Sequence, residues 1–307
     1  MTKASAPGKV ILLGEHAAVY GRPALAAPVQ AVRAHAEVLA LDEARVKVEA
    51  PEVGVDAYLD EMPDSQPLAR AIRLSMEETQ ASGGFQVRVT SDIPPASGLG
   101  SSAAVSVAII RTVCKYFEHE LAADRVAQMA FEIEKLHHGD PSGIDNTVVA
   151  FEIPVLFIKG EEPRPLGVTG RFQFVIGDTG EPAPTKELVT MLRGRWSGDT
   201  EFVDALFDSI GELTNQAAAS IGRGEIRNLG PLMNHDQTLL EALGVSAPSL
   251  ERLIRAARDA GALGAKLSGA GGGGIMIALV DDSSLDAVDA ALHEAGAVRT
   301  IQTEIGQ

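Results

Sequence analysis

The sequence of 307 residues predicts an α+β fold, and two observations lead to this. Alternating apolar and polar residues, clearest at 84–90, predict strands, and apolar residues at helical spacing, as at 68–80, predict helices. These segments follow one another without the regular strand–helix–strand alternation of a doubly wound parallel sheet. The length suits two domains, and the glycine-rich turn at 167–170 predicts domains 1–170 and 171–307.

Each element rests on its local pattern. Short apolar or alternating runs predict strands at 9–13, 32–41, 46–49, 84–90, 148–159, 172–177, 275–280 and 298–304. Longer amphipathic runs predict helices at 68–80, 101–117, 121–137, 185–194, 200–222, 226–242, 247–261 and 285–295. Turn-forming residues predict loops at 139–146 and 261–274.

Composition excludes several classes of function. There are 26 Lys and Arg against 42 Asp and Glu, so the chain lacks the basic surplus of a nucleic-acid binder. Cys114 is the single cysteine, so no intrachain disulfide can form, which fits a cytoplasmic protein. No run of 18 uncharged apolar residues occurs, so no membrane span is predicted.

A glycine-rich loop, GLGSSAA at residues 98–104 and hereafter the phosphate loop, lies between a predicted strand and a predicted helix. Glycines let backbone N–H groups approach a phosphate, and a helix beginning there adds unpaired N–H groups. The run lacks the lysine of a P-loop and the spacing of a dinucleotide-binding fingerprint. Taken alone, it fits a phosphate site or a tight connection in which Ser101 or Ser102 caps the helix.

Three motifs in order resemble those of the GHMP kinases, which include galactokinase, homoserine kinase, mevalonate kinase and phosphomevalonate kinase. They are APGKVILLGEH at 6–16, PPASGLGSSAA at 94–104 and KLSGAGGGG at 266–274. The resemblance implies a two-domain fold with the active site in the cleft between the domains, and ATP as co-substrate. It assigns ATP binding to Pro94, Ser97, Gly98, Leu99, Gly100, Ser101, Ser102, Ala103 and Gly271.

Four further stretches, at 14–21, 134–146, 178–186 and 232–246, resemble the mevalonate kinase branch of that family. They imply transfer of the γ-phosphate of ATP to mevalonate, giving 5-phosphomevalonate in isoprenoid precursor biosynthesis. The departures are small, with Tyr20 where some relatives have His and Ala18 where many have Val.

The resemblance also implies catalytic roles. Asp145 would be the base that faces the acceptor hydroxyl, although its local sequence also fits an Asx-turn. Lys9 would lie beside Asp145 and stabilise negative charge there. Glu134 and Ser102 would bind Mg²⁺ together with ATP oxygens, although Glu134 by itself resembles a solvated residue near a helix end.

Acceptor binding is assigned to Glu15, His16 and Thr179 by the same resemblance. The third motif, which contains four successive glycines, is expected to pack against the phosphate loop. Adjacent His137 and His138 point in different directions on a helix, so they do not predict a zinc site.

Other functions remain open on sequence. The same chemistry can act on phosphomevalonate, homoserine or a sugar, and a related ATP-dependent decarboxylase shares the motifs. A non-catalytic ligand sensor is disfavoured because Lys9, Ser102, Glu134 and Asp145 are all present. The sequence does not determine the oligomeric state, although a homodimer is common among the relatives.

Overall fold

Strands and helices follow one another irregularly in the computed structural model, which describes residues 1–94, 97–138 and 141–306, and all of their side chains except those of 137 and 138. The strands are β1 (Thr2–Leu13), β2 (Ala24–Ala40), β3 (Val46–Ala50), β4 (Val55–Tyr58), β5 (Phe85–Ser91), β6 (Val155–Phe157), β7 (Arg164–Pro165), β8 (Arg171–Asp178), β9 (Gly264–Ser268), β10 (Ile275–Val280) and β11 (Arg299–Gly306). The helices are α1 (Pro67–Thr79), α2 (Ser101–Tyr116), α3 (Ala123–His138), α4 (Ile144–Phe151), α5 (Thr185–Gly198), α6 (Thr200–Arg223), α7 (Ile226–Ala242), α8 (Pro248–Asp259) and α9 (Leu285–Glu294).

The chain divides into two units, and the α+β prediction is confirmed. The first unit comprises Met1–Lys9, Val32–Pro94 and Gly100–Glu152, and the second comprises the remaining described residues. The domains predicted at 1–170 and 171–307 stay a prediction, and in the division by contacts the chain passes between the two units more than once. Local composition marks one linker at a time and carries no signal for a segment such as Val10–Ala31 that packs with residues far along the chain.

The first unit places helices on a mixed sheet. Strand β5 pairs parallel to β3 and antiparallel to the later part of β2, and β3 also pairs antiparallel to β4. Helices α1 to α4 pack on one another, and α2 also packs on β5. Ile72, Val87, Ile109 and Ile133 are fully buried in this unit. Burial of these and neighbouring side chains supplies hydrophobic stabilisation to the helices of this unit, including α2 with Ser102 and α4 with Asp145.

The second unit contains an antiparallel sheet in the order β11-β8-β10-β9. Helices α7 and α8 pack against β9, and α8 and α9 pack against β10. One hydrophobic core joins Phe207, Leu240, Leu253, Met276 and Leu292, all of which are buried. The sheet brings the end of β8 beside the start of β10 and the end of β9, where the third motif begins.

The predicted strand at 148–159 is wrong. Residues Ile144–Phe151 form α4, and only Val155–Phe157 form a strand. The run is rich in β-branched residues, which favours a strand, but it packs against α2 and α3, and tertiary packing overrides so weak a propensity. Of the loop predicted at 139–146, residues 139 and 140 lie outside the described residues and Ile144 already belongs to α4.

The predicted loop at 261–274 is wrong in its middle part. Residues Gly264–Ser268 form β9, which pairs with β10 and is buried throughout. Gly264 and Ala265 have low strand propensity, which hid the strand from a reading of sequence pattern.

The small size of Gly264 has a packing reason. A Cβ atom at Gly264 would lie 2.3 Å from the carbonyl oxygen of Gly230 in α7, and one at Gly230 would lie 2.1 Å from the carbonyl oxygen of Leu263. Both distances are shorter than van der Waals contact, so helix and strand approach this closely only because both residues lack side chains.

We therefore expect Gly230→Ala to destabilise the protein by about 1–3 kcal/mol, because the added methyl group must push α7 away from β9. Gly194→Ala in α5 is the matched control, since no atom lies within 4 Å of its added Cβ. Alanine is the better helix former, so this control should gain about 0.5–1 kcal/mol. Urea unfolding of both variants measures the difference, and equal effects would contradict the close contact.

Candidate active site

The phosphate loop leads directly into helix α2. Gly98 and Gly100 adopt left-handed backbone conformations, with φ angles of 87° and 72°, and Gly100 is the N-cap residue of α2. The helix therefore begins at Ser101 with backbone N–H groups at its half-buried start, where the helix dipole favours an anion. Gly100, not Ser101 or Ser102, occupies the N-cap, so the alternative of a serine cap does not describe this turn.

Lys9 and Asp145 form an ion pair in the first unit. The Nζ of Lys9 lies 3.1 Å from Oδ1 of Asp145, and 6% of the Lys9 side chain and 34% of the Asp145 side chain are exposed. Asp145 lies in the first turn of α4, after Gly143 at φ 89°, where the helix dipole favours a carboxylate. A partly exposed carboxylate with a buried cationic partner suits contact with a small molecule.

Gly100 brings this pair beside the phosphate loop. A Cβ atom at Gly100 would lie 2.8 Å from Cγ of Lys9, so the lysine stem passes against the backbone at the start of α2. The first unit therefore holds the ammonium group, the carboxylate and the start of the helix in one place.

Ser102 and Glu134 also meet in the first unit. The hydroxyl of Ser102, in the first turn of α2, donates to Oε1 of Glu134 at 2.5 Å. Glu134 comes from α3 and is only 4% exposed, so it is not a solvated residue near a helix end. Two hard oxygen atoms from neighbouring helices fit a single Mg²⁺, which commonly takes one or two protein ligands and completes its shell with phosphate and water.

Four of the other predicted nucleotide-binding residues have buried side chains. Pro94, Ser97, Leu99 and Ala103 are buried, and the N–H of Leu99 donates to Oγ of Ser97 at 3.4 Å. Leu99 and Ala103 have no polar side-chain atoms, so any contact with phosphate would use their backbone. Residues 95 and 96 of this motif lie outside the described residues.

Glu15 lies in a buried cluster of the second unit. Its carboxylate accepts a hydrogen bond from the ammonium group of Lys266, and both side chains have zero exposure. Asp236 is the third member, with Oδ2 at 3.3 Å from the same ammonium group. Sequence reasoning assigned no role to Lys266 or Asp236, because the burial of a charge depends on residues distant in sequence and the strand that carries Lys266 was predicted as a loop.

His16 is tied to the third motif by one hydrogen bond. It has a φ angle of 61°, a conformation uncommon outside glycine, and its Nε2 lies 2.9 Å from the carbonyl oxygen of Ala270. Because a carbonyl only accepts, Nε2 carries the proton and Nδ1 is the acceptor of the neutral ring. Burial lowers the pKa of His16 to about 4, with the Lys266 charge acting in the same direction and the Ala270 hydrogen bond opposing it.

Thr179 connects the end of β8 to the third motif. Its N–H and its hydroxyl both donate to the carbonyl oxygen of Gly274, at 2.9 Å and 2.8 Å, and its hydroxyl oxygen accepts from the N–H of Glu181 at 3.2 Å. The hydroxyl proton of Thr179 is thus engaged within the protein. Toward a ligand, Thr179 offers only remaining acceptor capacity at its oxygen.

The four successive glycines of the third motif, Gly271 to Gly274, all have positive φ angles. A Cβ at Gly271 would meet the carbonyl oxygen of Val245 at 2.0 Å, and one at Gly274 would meet that of Ser97 at 3.2 Å. The second contact fits the expectation that this loop packs against the phosphate loop. The glycines are thus explained by close backbone approach rather than by flexibility.

Two negative findings concern the described residues alone. No three His, Cys, Asp or Glu residues there come together to hold a metal ion, and the side chains of His137 and His138 lie outside that set. No helix in the described part of the chain is long and apolar enough to cross a membrane.

Comparison with known proteins places the chain in a family. Residues 67–152 match the family model for the GHMP kinases N terminal domain, and residues 217–298 match that for the GHMP kinases C terminal domain. A mevalonate kinase of Thermococcus sibiricus is 38% identical over 95% of this chain and 93% of its own length. The chain belongs to the GHMP kinase family. A mevalonate kinase of Pyrococcus furiosus is likewise 38% identical, over 99% of this chain and 96% of its own.

Solved structures agree with this placement. The GHMP kinase fold is shared with L. major mevalonate kinase in complex with R-mevalonate, at a TM-score of 0.85 and 28% identity over 99% of this chain and 96% of that one. Methanococcus jannaschii mevalonate kinase gives 0.86 at 25% identity, over 99% and 98%. Lactococcus lactis galactokinase complexed with galactose gives 0.77 at 21% identity, over 100% and 94%, which shows the fold alone.

The depressed pKa of His16 predicts a pH dependence of stability. Between about pH 4 and 6.5 the unfolded chain protonates this ring and the folded protein does not, so the free energy of unfolding falls as pH drops through that window, by up to roughly 3 kcal/mol. In His16→Gln, which cannot titrate, this component should vanish. Thermal unfolding of both proteins from pH 4 to 8 measures it. Parallel curves would contradict a neutral buried ring.

Proposed function

We propose that this GHMP kinase transfers the γ-phosphoryl group of ATP to the primary hydroxyl of mevalonate, giving 5-phosphomevalonate and ADP. The observation that carries the proposal is the Lys9–Asp145 ion pair beside the start of α2. Phosphoryl transfer needs positioning, neutralisation of charge and a base, and these residues supply a cation, a carboxylate and a helix N-terminus. Mevalonate is proposed as the acceptor because the chain is 38% identical to mevalonate kinases over nearly its whole length.

The proposed reaction assigns one role to each group. The carboxylate of Asp145 accepts the proton as the acceptor hydroxyl oxygen bonds to the γ-phosphorus and the bond to ADP breaks. The ammonium group of Lys9 stabilises the negative charge that develops at this point. The backbone N–H groups at the start of α2 orient the phosphates.

Mg²⁺ is part of the proposal, held by Ser102 and Glu134. Their oxygen atoms fit its ligand preference, and when bound the ion would neutralise phosphate charge. Glu15, His16 and Thr179 are proposed to serve acceptor binding. Given the hydrogen bonds above, His16 would accept through Nδ1, while Glu15 would act by holding its neighbour in place because its carboxylate is fully buried. A cytoplasmic location and a homodimer stay predictions.

Acceptor specificity is the first test. With Mg²⁺ and ATP, the purified protein should release one ADP for each mevalonate consumed and no CO₂, and EDTA should stop the reaction. The panel includes 5-phosphomevalonate, homoserine and galactose as alternative acceptors. Turnover on one of these instead would overturn the acceptor and keep the kinase, whereas CO₂ release would indicate the decarboxylase.

Asp145→Asn tests the base. The amide keeps the size of the side chain but cannot take the proton, so turnover on mevalonate should fall by about 10²–10⁴-fold. Asp124→Asn is the control, because Asp124 is exposed in the first turn of α3. Steady-state kinetics of both variants, with circular dichroism to verify folding, give the comparison. Full turnover by a folded Asp145→Asn protein would rule out the proposed base.

A further inference from the structure

The second unit buries one cation with two carboxyl groups. The ammonium group of Lys266 donates to Oε1 of Glu15 and, at 2.7 Å, to the carbonyl oxygen of Leu267. Oδ2 of Asp236 lies 3.3 Å from the same nitrogen. The side chains of Lys266, Glu15 and Asp236 all have zero exposure. The reaction proposed above uses neither Lys266 nor Asp236 directly.

The charges of this cluster do not balance if both acids are ionised. One ammonium group would face two carboxylates in a site without water contact, and a buried unpaired charge is costly enough that the group neutralises instead. Within the described residues, three carboxyl oxygens of the cluster have no hydrogen-bond partner, namely Oε2 of Glu15 and both oxygens of Asp236. A single added proton neutralises the cluster and supplies the donor that these oxygens lack.

The geometry assigns this proton to Asp236. Glu15 receives the direct hydrogen bond from Lys266, which favours its ionised form, whereas the 3.3 Å contact of Asp236 is not a hydrogen bond. Burial raises the pKa of Asp236 to about 8, with the Lys266 charge opposing and the Glu15 charge adding to the shift. The groups named here that act on the titration of Asp236 are Lys266 on β9 and Glu15 in the segment after β1.

The cluster joins the first and third motifs inside the second unit. Lys266 lies on β9, two residues before Ser268, whose hydroxyl accepts from the N–H of Ile11 at 3.0 Å and donates to its carbonyl oxygen at 2.9 Å. Glu15 immediately precedes His16, which donates to Ala270. Fixing the Glu15 carboxylate therefore fixes the backbone on which His16 sits.

We propose that Asp236 is a positioning residue that stays a protonated carboxylic acid at neutral pH, donates to Oε2 of Glu15 and so holds His16 in place for acceptor binding. Lys266 then holds one oxygen of the Glu15 carboxylate and Asp236 the other. The part of this inference that concerns acceptor binding rests on the proposed function, whereas the location of the proton does not.

Infrared spectroscopy tests the proton directly. At pH 7 the protein should show the carbonyl stretch of a buried protonated carboxyl group, and Asp236→Asn should lose it while the exposed control Asp124→Asn keeps it. Glu15→Gln should also lose it, because Lys266 would then pair with Asp236 alone and Asp236 would ionise. Absence of the band from the wild type, or its persistence in Asp236→Asn, would overturn the assignment, whether or not the protein is a kinase.

The pH dependence of the free energy of unfolding is a second test of the proton on Asp236, and it needs no enzyme assay. The folded protein keeps a proton on Asp236 that the unfolded chain releases from about pH 4 upward, so this component of the free energy of unfolding falls as pH rises from about 4 to 8. The stability of the wild type relative to Asp236→Asn should decline across that window. A relative stability that rises with pH would contradict the proposal.

Kinetics separate positioning from general structural support. Asp236→Leu removes the donor to Glu15 and should raise the acceptor KM by about tenfold or more, with a smaller effect on kcat and on the KM for ATP. Asp236→Asn offers an amide N–H donor and should restore most of the acceptor KM. If the folded leucine variant changes both KM values equally, or asparagine gives no rescue, Asp236 supports the fold and does not position His16.

Discussion

The hydrogen-bonded ion pair between Glu15 and Lys266 is the interaction on which the arrangement of the second unit depends. It joins residues 251 positions apart in sequence, with no water contact at either side chain. A buried pair of this kind adds little net stability compared with apolar residues, but breaking it leaves an unpaired charge, which costs about 3–5 kcal/mol. The pair thus ties the first motif to the third motif at a buried point of the second unit.

The first unit also contains an ion pair with a buried lysine, but there the carboxylate is partly exposed. Lys9 is almost completely buried, but its partner Asp145 remains one-third exposed, so a ligand can reach the carboxylate. Glu134 is buried and meets the hydroxyl of Ser102. One unit thus encloses its charges and uses them to fix backbone, while the other presents them at a helix start, where phosphate chemistry needs them.

Sequence reasoning predicted most of the amphipathic helices and the alternating strands, because the spacing of apolar residues along the chain indicates each type of element. It predicted neither β4 nor β7, and it failed at α4 and β9. Helix α4 is a β-branched run that packing turns into a helix, and β9 is a strand whose glycine and alanine residues match a close approach of α7. It paired Lys9 with Asp145 and Ser102 with Glu134 through family resemblance, whereas Lys266 and Asp236 escaped it because burial of a charge depends on distant residues.

Because Gly100 contacts the side chain of Lys9, a substitution at residue 100 affects where the lysine lies. The space that an alanine methyl group would need at residue 100 is already filled by the lysine side chain. A substitution at Gly100 therefore has the effect of a substitution at Lys9. The lysine is still present, but its ammonium group is displaced from the carboxylate of Asp145. Substitutions at Gly100 and at Lys9 should therefore reduce function to a similar extent, although glycine has no side chain and lysine carries the charge.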